Sequence, residues 1–402
     1  MKTKKNKVVL AYSGGLDTSF CVTYLTTEKD MEVHAVVANN GGFSREEIKA
    51  MEERAYFLGA VSFLEIDITQ RYIDDCIKYM IYGNIKRNGT YPLSVSSERM
   101  FQALAIVDHA QSIDADAIAH GSTGAGNDQV RFDLVFKTYA PQMEIITPIR
   151  DMKLSRQYEI DYLKKAGLEW NSEKSIYSIN QGLWGTSIGG KETLTSELPL
   201  PDSAYPHKPE LEAPLELTIT FDKGIPVSLN GRTYDQLENL IQELNHIGYQ
   251  YAIGRDIHVG DTIIGIKGRV AFEAPAALLL IDAHTLLEKH VLTKHQIYWK
   301  AQVGNWYGMM LHEGNYLEPT MRWMESLLNE SQKHVSGDVM LTLHPYRYTL
   351  NGISSIHDLM KAKSGIYGEE NSAWTSDEAK GFIQLLSISN QNYYSIHKEE
   401  LA

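Results

Sequence analysis

The chain has 402 residues, 43% hydrophobic and 22% charged, which is the composition of a globular protein of two or three domains and excludes a disordered or collagen-like chain. Its 38 basic and 51 acidic residues give a net charge of −13, which argues against binding duplex nucleic acid by phosphate neutralisation. Two cysteines, Cys21 and Cys76, neither in a C-x-x-C, leave little room for a disulfide framework or a thiolate metal site and suit a reducing compartment.

From the N-terminus, a lysine-rich start is followed by the short apolar run Val8–Tyr12, too brief for a signal-peptide core. It ends in Ser13-Gly14-Gly15 and reads as a buried parallel strand entering a helix near Thr18. Glu32–Ala38 is a second strand. Ser44 caps a helix whose Ile48, Met51, Ala55 and Leu58 fall at helical spacing. Phe63–Ile68 is a third strand, followed by helical pattern from Tyr72 to Ile85. Ser97 caps a further helix carrying Met100, Ala103, Leu104 and Val107. Asp116–His120 and Glu144–Ile149 are further strands. Strands alternating with helices predict a parallel, doubly wound α/β sheet with right-handed connections.

The texture then changes. Pro199, Pro201, Pro206, Pro209 and Pro214 mark a turn-rich connector. Leu198, Leu200, Tyr205 and Leu211 interleave it, so it is expected to lie along the surface rather than hang free. Beyond it, Leu215–Phe221 alternates as a half-exposed strand, Tyr234–Gly248 reads as a helix, and Thr262–Ile266 and Val339–Leu343 read as strands. The apolar run Ala276–Ile281 is far shorter than the roughly 20 residues that span a bilayer. After Trp374 comes a helical stretch, Asp377–Leu386, and a polar end with Tyr393 and Tyr394. The expectation is α/β overall: residues 1–168 a nucleotide-binding domain, residues 169–402 an α+β second domain with a helical tail. A cytoplasmic protein with no membrane and no nucleic-acid partner is expected.

Two loops carry chemistry. In Ala11-Tyr12-Ser13-Gly14-Gly15-Leu16-Asp17-Thr18-Ser19 the glycines let backbone amides approach an anion, hydroxyls add donors, and the helix N-terminus adds partial positive charge. The Walker lysine and the G-x-G-x-x-G spacing are both absent. In His120-Gly121-Ser122-Thr123-Gly124-Ala125-Gly126-Asn127-Asp128-Gln129-Val130-Arg131-Phe132, glycines stand beside groups that suit an α-amino acid: Arg for a carboxylate, Asp for an ammonium, Thr and Asn for the rest. A surface loop with a structural ion pair would carry the same residues. His120 reads as a packed strand-end histidine rather than an acid or base.

The first loop resembles the pyrophosphate loop of ATP pyrophosphatases, which split ATP to AMP and pyrophosphate while adenylating a carbonyl or ureido oxygen. The second strongly resembles the argininosuccinate synthase family. Tyr91, Ser96 and Arg99 resemble that family's Tyr-x-x-x-x-Ser-x-x-Arg-Pro segment, with Met100 in place of proline, and Tyr177–Ser187 resembles its Asn-Leu-Trp-Gly segment. The resemblance implies an adenine nucleotide alpha hydrolase-like domain, then a synthetase and multimerisation domain, in a homotetramer. It implies that Ala11, Tyr12, Ser13, Gly14, Gly15, Leu16, Asp17, Thr18, Ser19, Ala38 and Gly121 bind ATP. Thr123, Asn127 and Asp128 would bind aspartate. Tyr91, Ser96, Asn127, Arg131, Ser178 and Ser187 would bind citrulline. Taken singly, Tyr91 could be a rim aromatic, and Ser178 and Ser187 cap or turn residues.

The resemblance further implies ATP-dependent condensation of citrulline with aspartate through citrullyl-AMP, in arginine biosynthesis. Mg²⁺ would screen the phosphates, and no dedicated protein metal site is expected. The alternatives are a tRNA-thiolating enzyme of the same chemistry and a non-catalytic nucleotide-binding protein. Three departures stand out. Ala125 replaces the family's lysine, Gly260 a glutamate and Phe272 a tyrosine, the last two implicated in gripping citrulline. Asp261, if the strand bulges at Gly260, or a carboxylate brought from elsewhere such as Glu273 is the expected replacement for the missing one, with water or a neighbouring subunit as the alternative.

Overall fold

Val8, Val9 and Leu10 are fully buried because β1 (Lys7–Ala11) is the middle strand of a parallel sheet. The computed structural model describes residues 5–170, 177–362 and 373–397. The sheet runs β3 (Ser62–Asp67), β2 (Glu32–Asn39), β1, β4 (Ala117–His120), β5 (Glu144–Ile146). Alternate residues of β1 face opposite layers. Val8 and Leu10 pack with Phe20 and Leu25 of α1 (Leu16–Thr27), Ile48 and Ala55 of α2 (Arg45–Phe57) and Leu163 of α8 (Arg156–Lys165). Val9 packs on the other side with Phe101 and Leu104 of α5 (Arg99–Ser112) and Phe136 of α6 (Asp128–Tyr139). The expected doubly wound α/β architecture is what forms.

Local chemistry sets most boundaries. Ser44 caps α2 through a full capping box with Glu47, as its position predicts. Ser97 does not cap α5. Its hydroxyl donates to the Leu93 carbonyl and meets the Tyr72 hydroxyl, and Glu98 takes the N-cap position without a side-chain cap. The helix expected over 72–85 begins earlier and ends sooner. It runs as α3 (Thr69–Tyr72), a π turn (Ile73–Ile77) and α4 (Lys78–Tyr82), and stops where Asn84 turns left-handed at φ 51°. The strand expected over 144–149 is cut short because Pro148 opens α7 (Pro148–Asp151).

The second half adds two antiparallel sheets. One has the order β11 (Arg255–Asp261), β12 (Lys267–Glu273), β7 (Gly185–Gly189), β6 (Ser178–Gly182). The other has the order β10 (Arg232–Thr233), β9 (Ile225–Leu229), β8 (Leu215–Asp222), β13 (Gly337–His344), β14 (Arg347–Ser354). Helices α9 (Leu237–Gln250) and α10 (Pro275–Val291) pack on them, while α11 (Lys294–His312) and α12 (Thr320–Ser331) pack on each other and on α4. The predicted strand 262–266 is instead the turn joining β11 to β12, closed by Thr262 N–H to the Ile266 carbonyl at 2.7 Å, with Gly265 at φ 87°. One core runs from Val9 through Tyr72 and Phe101 to Phe272, Leu280 and Val339, so the parallel sheet and the second half share buried surface. The proline-rich connector lies on the protein: Leu200 and Ala204 pack with Ile188 and Ala271.

Residues to Ile356 form one compact unit and His357–Ala402 another. The second unit contains α13 (Ser376–Ile396), started by a capping box between Thr375 and Glu378, and Tyr393 and Tyr394 continue the helix beyond the predicted stretch. Among the described residues no helix is long and apolar enough to cross a membrane. Cys21 and Cys76 are free and buried, and burial pushes both thiols well up, so neither is a ready nucleophile.

Candidate active site

The first loop turns on Gly14, at φ 68°, where a Cβ would sit 2.7 Å from Met51 Cγ. Glycine is required there by both conformation and space. Gly15 is the N-cap of α1 and supplies no side-chain cap, so the first-turn amides are left for an incoming anion. Ser13 N–H donates to Thr18 Oγ1 at 3.3 Å, and Thr18 Oγ1 donates to the Gly15 carbonyl at 3.3 Å, which holds the loop in its turn. Arg54 donates to the Gly14 carbonyl from outside. Tyr12 and Ser19 are buried, and their side-chain oxygens have no partner within the protein.

The structure brings the second loop against the first. A Cβ on Gly121 would lie 3.2 Å from the Asp17 carbonyl carbon and the Thr18 nitrogen, so the two turns touch through a glycine. Ala38, nearly buried at the end of β2, pairs in register with Ile66. Thr123 lines an open cleft of about 570 Å³ with Gly124, Ala125, Arg150 and Lys153. Where Ala125 supplies no cation, Arg150 and Lys153 stand beside the same loop. His120 is accounted for structurally: Nε2 faces Asp133 at 2.9 Å and Nδ1 accepts from Ser122 N–H at 3.2 Å.

Asp128 is the first residue of α6. One carboxylate oxygen accepts from Arg99 Nε at 3.0 Å, the other from Arg131 Nη1 at 2.8 Å. Burial alone would raise this carboxyl, but Arg99 and Arg131 outweigh it and hold it down at about 2. Arg131 is buried and also donates to the His312 carbonyl at 2.9 Å and meets His312 Nδ1 at 3.2 Å. His312 Nε2 in turn meets Arg87. Burial, then Arg131 and Arg87, push the His312 imidazole down to about 2, so it is neutral. The Asn127 side-chain oxygen accepts from Ile263 N–H at 2.8 Å, which fastens the β11–β12 turn to the second loop.

Tyr91 is buried, its ring 5.3 Å from those of both His258 and Phe272. Its hydroxyl accepts from Val95 N–H at 3.3 Å. Ser96 is buried with its hydroxyl unpartnered. Ser187 pairs in register with Phe272 and with Asn180, and the Asn180 side-chain oxygen accepts from Arg99 at 3.3 Å. Tyr91, Asn127, Asp128, Arg131 and Ser187 therefore belong to one connected region. Ser178 is exposed at the open end of the β6–β7 hairpin, opposite Gly189.

Neither expected replacement carboxylate is brought in. The β11–β12 pairing runs through Gly260 opposite Gly268 without a register shift, so no bulge forms. Asp261 is exposed and ion-paired to Lys267 at 2.8 Å. Glu273 is fully buried and taken by Arg255 at 2.8 Å and His207 at 2.7 Å. Sequence reasoning missed His258, His312 and Arg87, which carry no local motif and meet only through the fold.

A Mg²⁺ ion binds phosphates together with one or two carboxylates and keeps several waters. Among the described residues no group of three or more His, Cys, Asp or Glu could hold a metal alone. Asp17, in the first turn of α1, lies against Glu159 of α8, which is 3% exposed and has one carboxyl oxygen unpartnered. Burial and Asp17 together push Glu159 up to about 8. Asp17, beside the phosphate cradle, suits a cation that arrives with nucleotide.

Residues 7–169 match the model of the arginosuccinate synthase N-terminal HUP domain, and residues 177–393 that of the arginosuccinate synthase C-terminal domain. The chain is 36% identical to the argininosuccinate synthase of Xanthomonas campestris pv. campestris, over 97% of this chain and 99% of that protein. It is also 36% identical to that of Dictyoglomus turgidum, over 97% and 98%, and to that of Pyrobaculum aerophilum, over 95% and 97%. With both domains matched along nearly the whole sequence, the chain belongs to the argininosuccinate synthase family of AMP-forming carbon–nitrogen ligases.

Proposed function

We propose that this protein condenses a ureido acid of the citrulline type with aspartate, using ATP and releasing AMP and pyrophosphate through a citrullyl-AMP-type intermediate. The observation that supports this most is the contact of Gly121 with the Asp17–Thr18 backbone, which sets an amino-acid-binding loop directly beside a phosphate cradle. A ureido oxygen is a poor leaving group, and the ureido carbon resists amine attack. In the first step that oxygen attacks the α-phosphorus, the bond to the bridging oxygen breaks, and pyrophosphate departs onto the amides of Ser13–Ser19. In the second step the aspartate amine attacks the activated carbon, AMP leaves with the former ureido oxygen, and the amine proton is released.

Catalysis on this reading is positioning and charge neutralisation. Ala11–Ser19, Ala38 and Gly121 hold the nucleotide. Thr123, Asn127 and Asp128 hold aspartate; Tyr91, Ser96, Asn127, Arg131, Ser178 and Ser187 hold the ureido acid. Mg²⁺ would screen phosphate charge, and Asp17 would be its protein contact. Residues 1–168 form the nucleotide-binding part and 169–402 the synthetase and multimerisation part. The exposed apolar residues of α13, Phe382, Leu385 and Leu386 among them, suit the homotetramer that the family resemblance implies, in the cytoplasm. The test is product analysis: γ-phosphate label should appear in pyrophosphate, and AMP should form only with both the ureido acid and aspartate. ADP and orthophosphate would overturn the reading.

A further inference from the structure

The groups around Tyr91 have their charges arranged for something other than a free amino acid. His258 on β11 is 4% exposed, and neither ring nitrogen has a hydrogen-bond partner. Buried polar atoms are nearly always paired, so two unpaired nitrogens on one buried ring call for a ligand. The ring lies on Tyr91, and a Cβ at Gly260 would come within 2.5 Å of Nε2 and 3.3 Å of Asn88 Nδ2. Glycine at 260 thus makes room for this imidazole. Burial, with Arg87 beside it, pushes the ring down to about 4, so at neutral pH it offers one donor and one acceptor and no charge.

The neighbouring charges are lopsided. Arg131, His312 and Arg87 form a continuous chain toward His258. Asp128 is ion-paired to both Arg99 and Arg131. Asp261 is ion-paired to Lys267, and it and Glu313 act electrostatically on Arg87. Asp256, two residues before His258, accepts from the backbone of Ile257. Phe272, its ring 5.3 Å from that of Tyr91, has no hydroxyl. An α-ammonium brought here would face two guanidiniums, with Asp128 and Asp261 already ion-paired and Asp256 bonded to the Ile257 amide, and would be disfavoured once desolvated. A carboxylate is well served by Arg131, and an amide is well served by a neutral imidazole.

We infer that the ureido substrate of this protein is an N-acylated ureido acid, whose α-nitrogen is an uncharged amide facing the His258 ring that Gly260 seats. His258 and Gly260 are then the residues that set specificity. This rests on the proposed ligase reading, and it narrows the substrate class within it.

The test measures AMP release with ATP and aspartate, using citrulline and N-acetylcitrulline as the two probes. The acylated compound should give kcat/KM at least tenfold above citrulline. Equal use of the two, or preference for citrulline, would overturn the inference and leave the ligase reading standing. AMP release with neither probe would overturn the ligase reading itself. The double variant His258→Ala/Gly260→Glu supplies a carboxylate and removes the ring that would clash with it, and should move the ratio at least tenfold toward citrulline. An unchanged ratio in the folded double variant would reject His258 and Gly260 as its determinants. Should the double variant not fold, His258→Gln, which keeps a neutral donor and acceptor, should retain a preference for the acylated probe. Loss of that preference would count against the assignment.

Discussion

Arg131 and His312, 181 residues apart, are locked together: the guanidinium donates to the His312 carbonyl at 2.9 Å and meets its ring nitrogen at 3.2 Å. The fold thereby fixes the direction of the arginine that also holds Asp128. Two residues read from sequence as holders of different substrates are one bonded unit.

The consequence is non-additivity. Asp128→Asn should raise the aspartate KM most and Arg131→Lys the ureido-acid KM most, because a point charge cannot replace a fork. Each change also frees the other residue, so the double variant should depart from additivity by about 1–3 kcal/mol. Steady-state kinetics of the four proteins measures this. Strict additivity would mean that the ion pair does not couple the two sites.

Asp17→Asn should keep the fold and lose most adenylation, if Asp17 contacts the cation that arrives with ATP. The same change removes the charge that raises Glu159, so the Glu159 carboxyl should titrate lower, a change that carboxyl-carbon NMR reads independently of activity. Near-normal turnover would make Asp17 only a favourable charge at a helix N-terminus.

Stability should fall on acidification. The folded state holds His258 down at about 4 and His312 at about 2, below the unfolded value of about 6.5. Between about pH 6.5 and 4 the unfolded chain therefore takes up protons that the native state refuses, and unfolding becomes easier. For His258 the loss is at most about 3.5 kcal/mol, since each pH unit between the folded and unfolded values is worth about 1.4 kcal/mol. Urea midpoints followed across that pH range should fall less steeply in His258→Gln. Parallel curves would show that His258 protonates freely in the folded protein.

Lys153 lines the cleft beside Ala125 and stands with Arg150 where the family's lysine is missing. Lys153→Met should raise the ATP KM about tenfold, the scale of one charge-assisted contact, with a smaller effect on the amino-acid constants. An unaltered ATP KM would leave Arg150 as the cation that matters in that cleft.

What the sequence settled by itself was whatever depends on neighbours in the chain. The apolar run Val8–Tyr12, the cap at Ser44 and the glycines of the first loop are local, so strand, helix and phosphate turn were legible from residue order. Tertiary structure decided what depends on distant groups. The segment 262–266 looked like a strand from its isoleucines, yet it is a turn, because Gly265 reverses the chain and the Asn127 side chain pins Ile263. Asp261 and Glu273 were open as partners for a substrate charge until the regular β11–β12 register and the ion pairs with Lys267, Arg255 and His207 claimed them. The polarity of the pocket came from Arg87, His258 and His312. No spacing rule relates these three residues, because the contacts that join them form only when the helices and sheets pack.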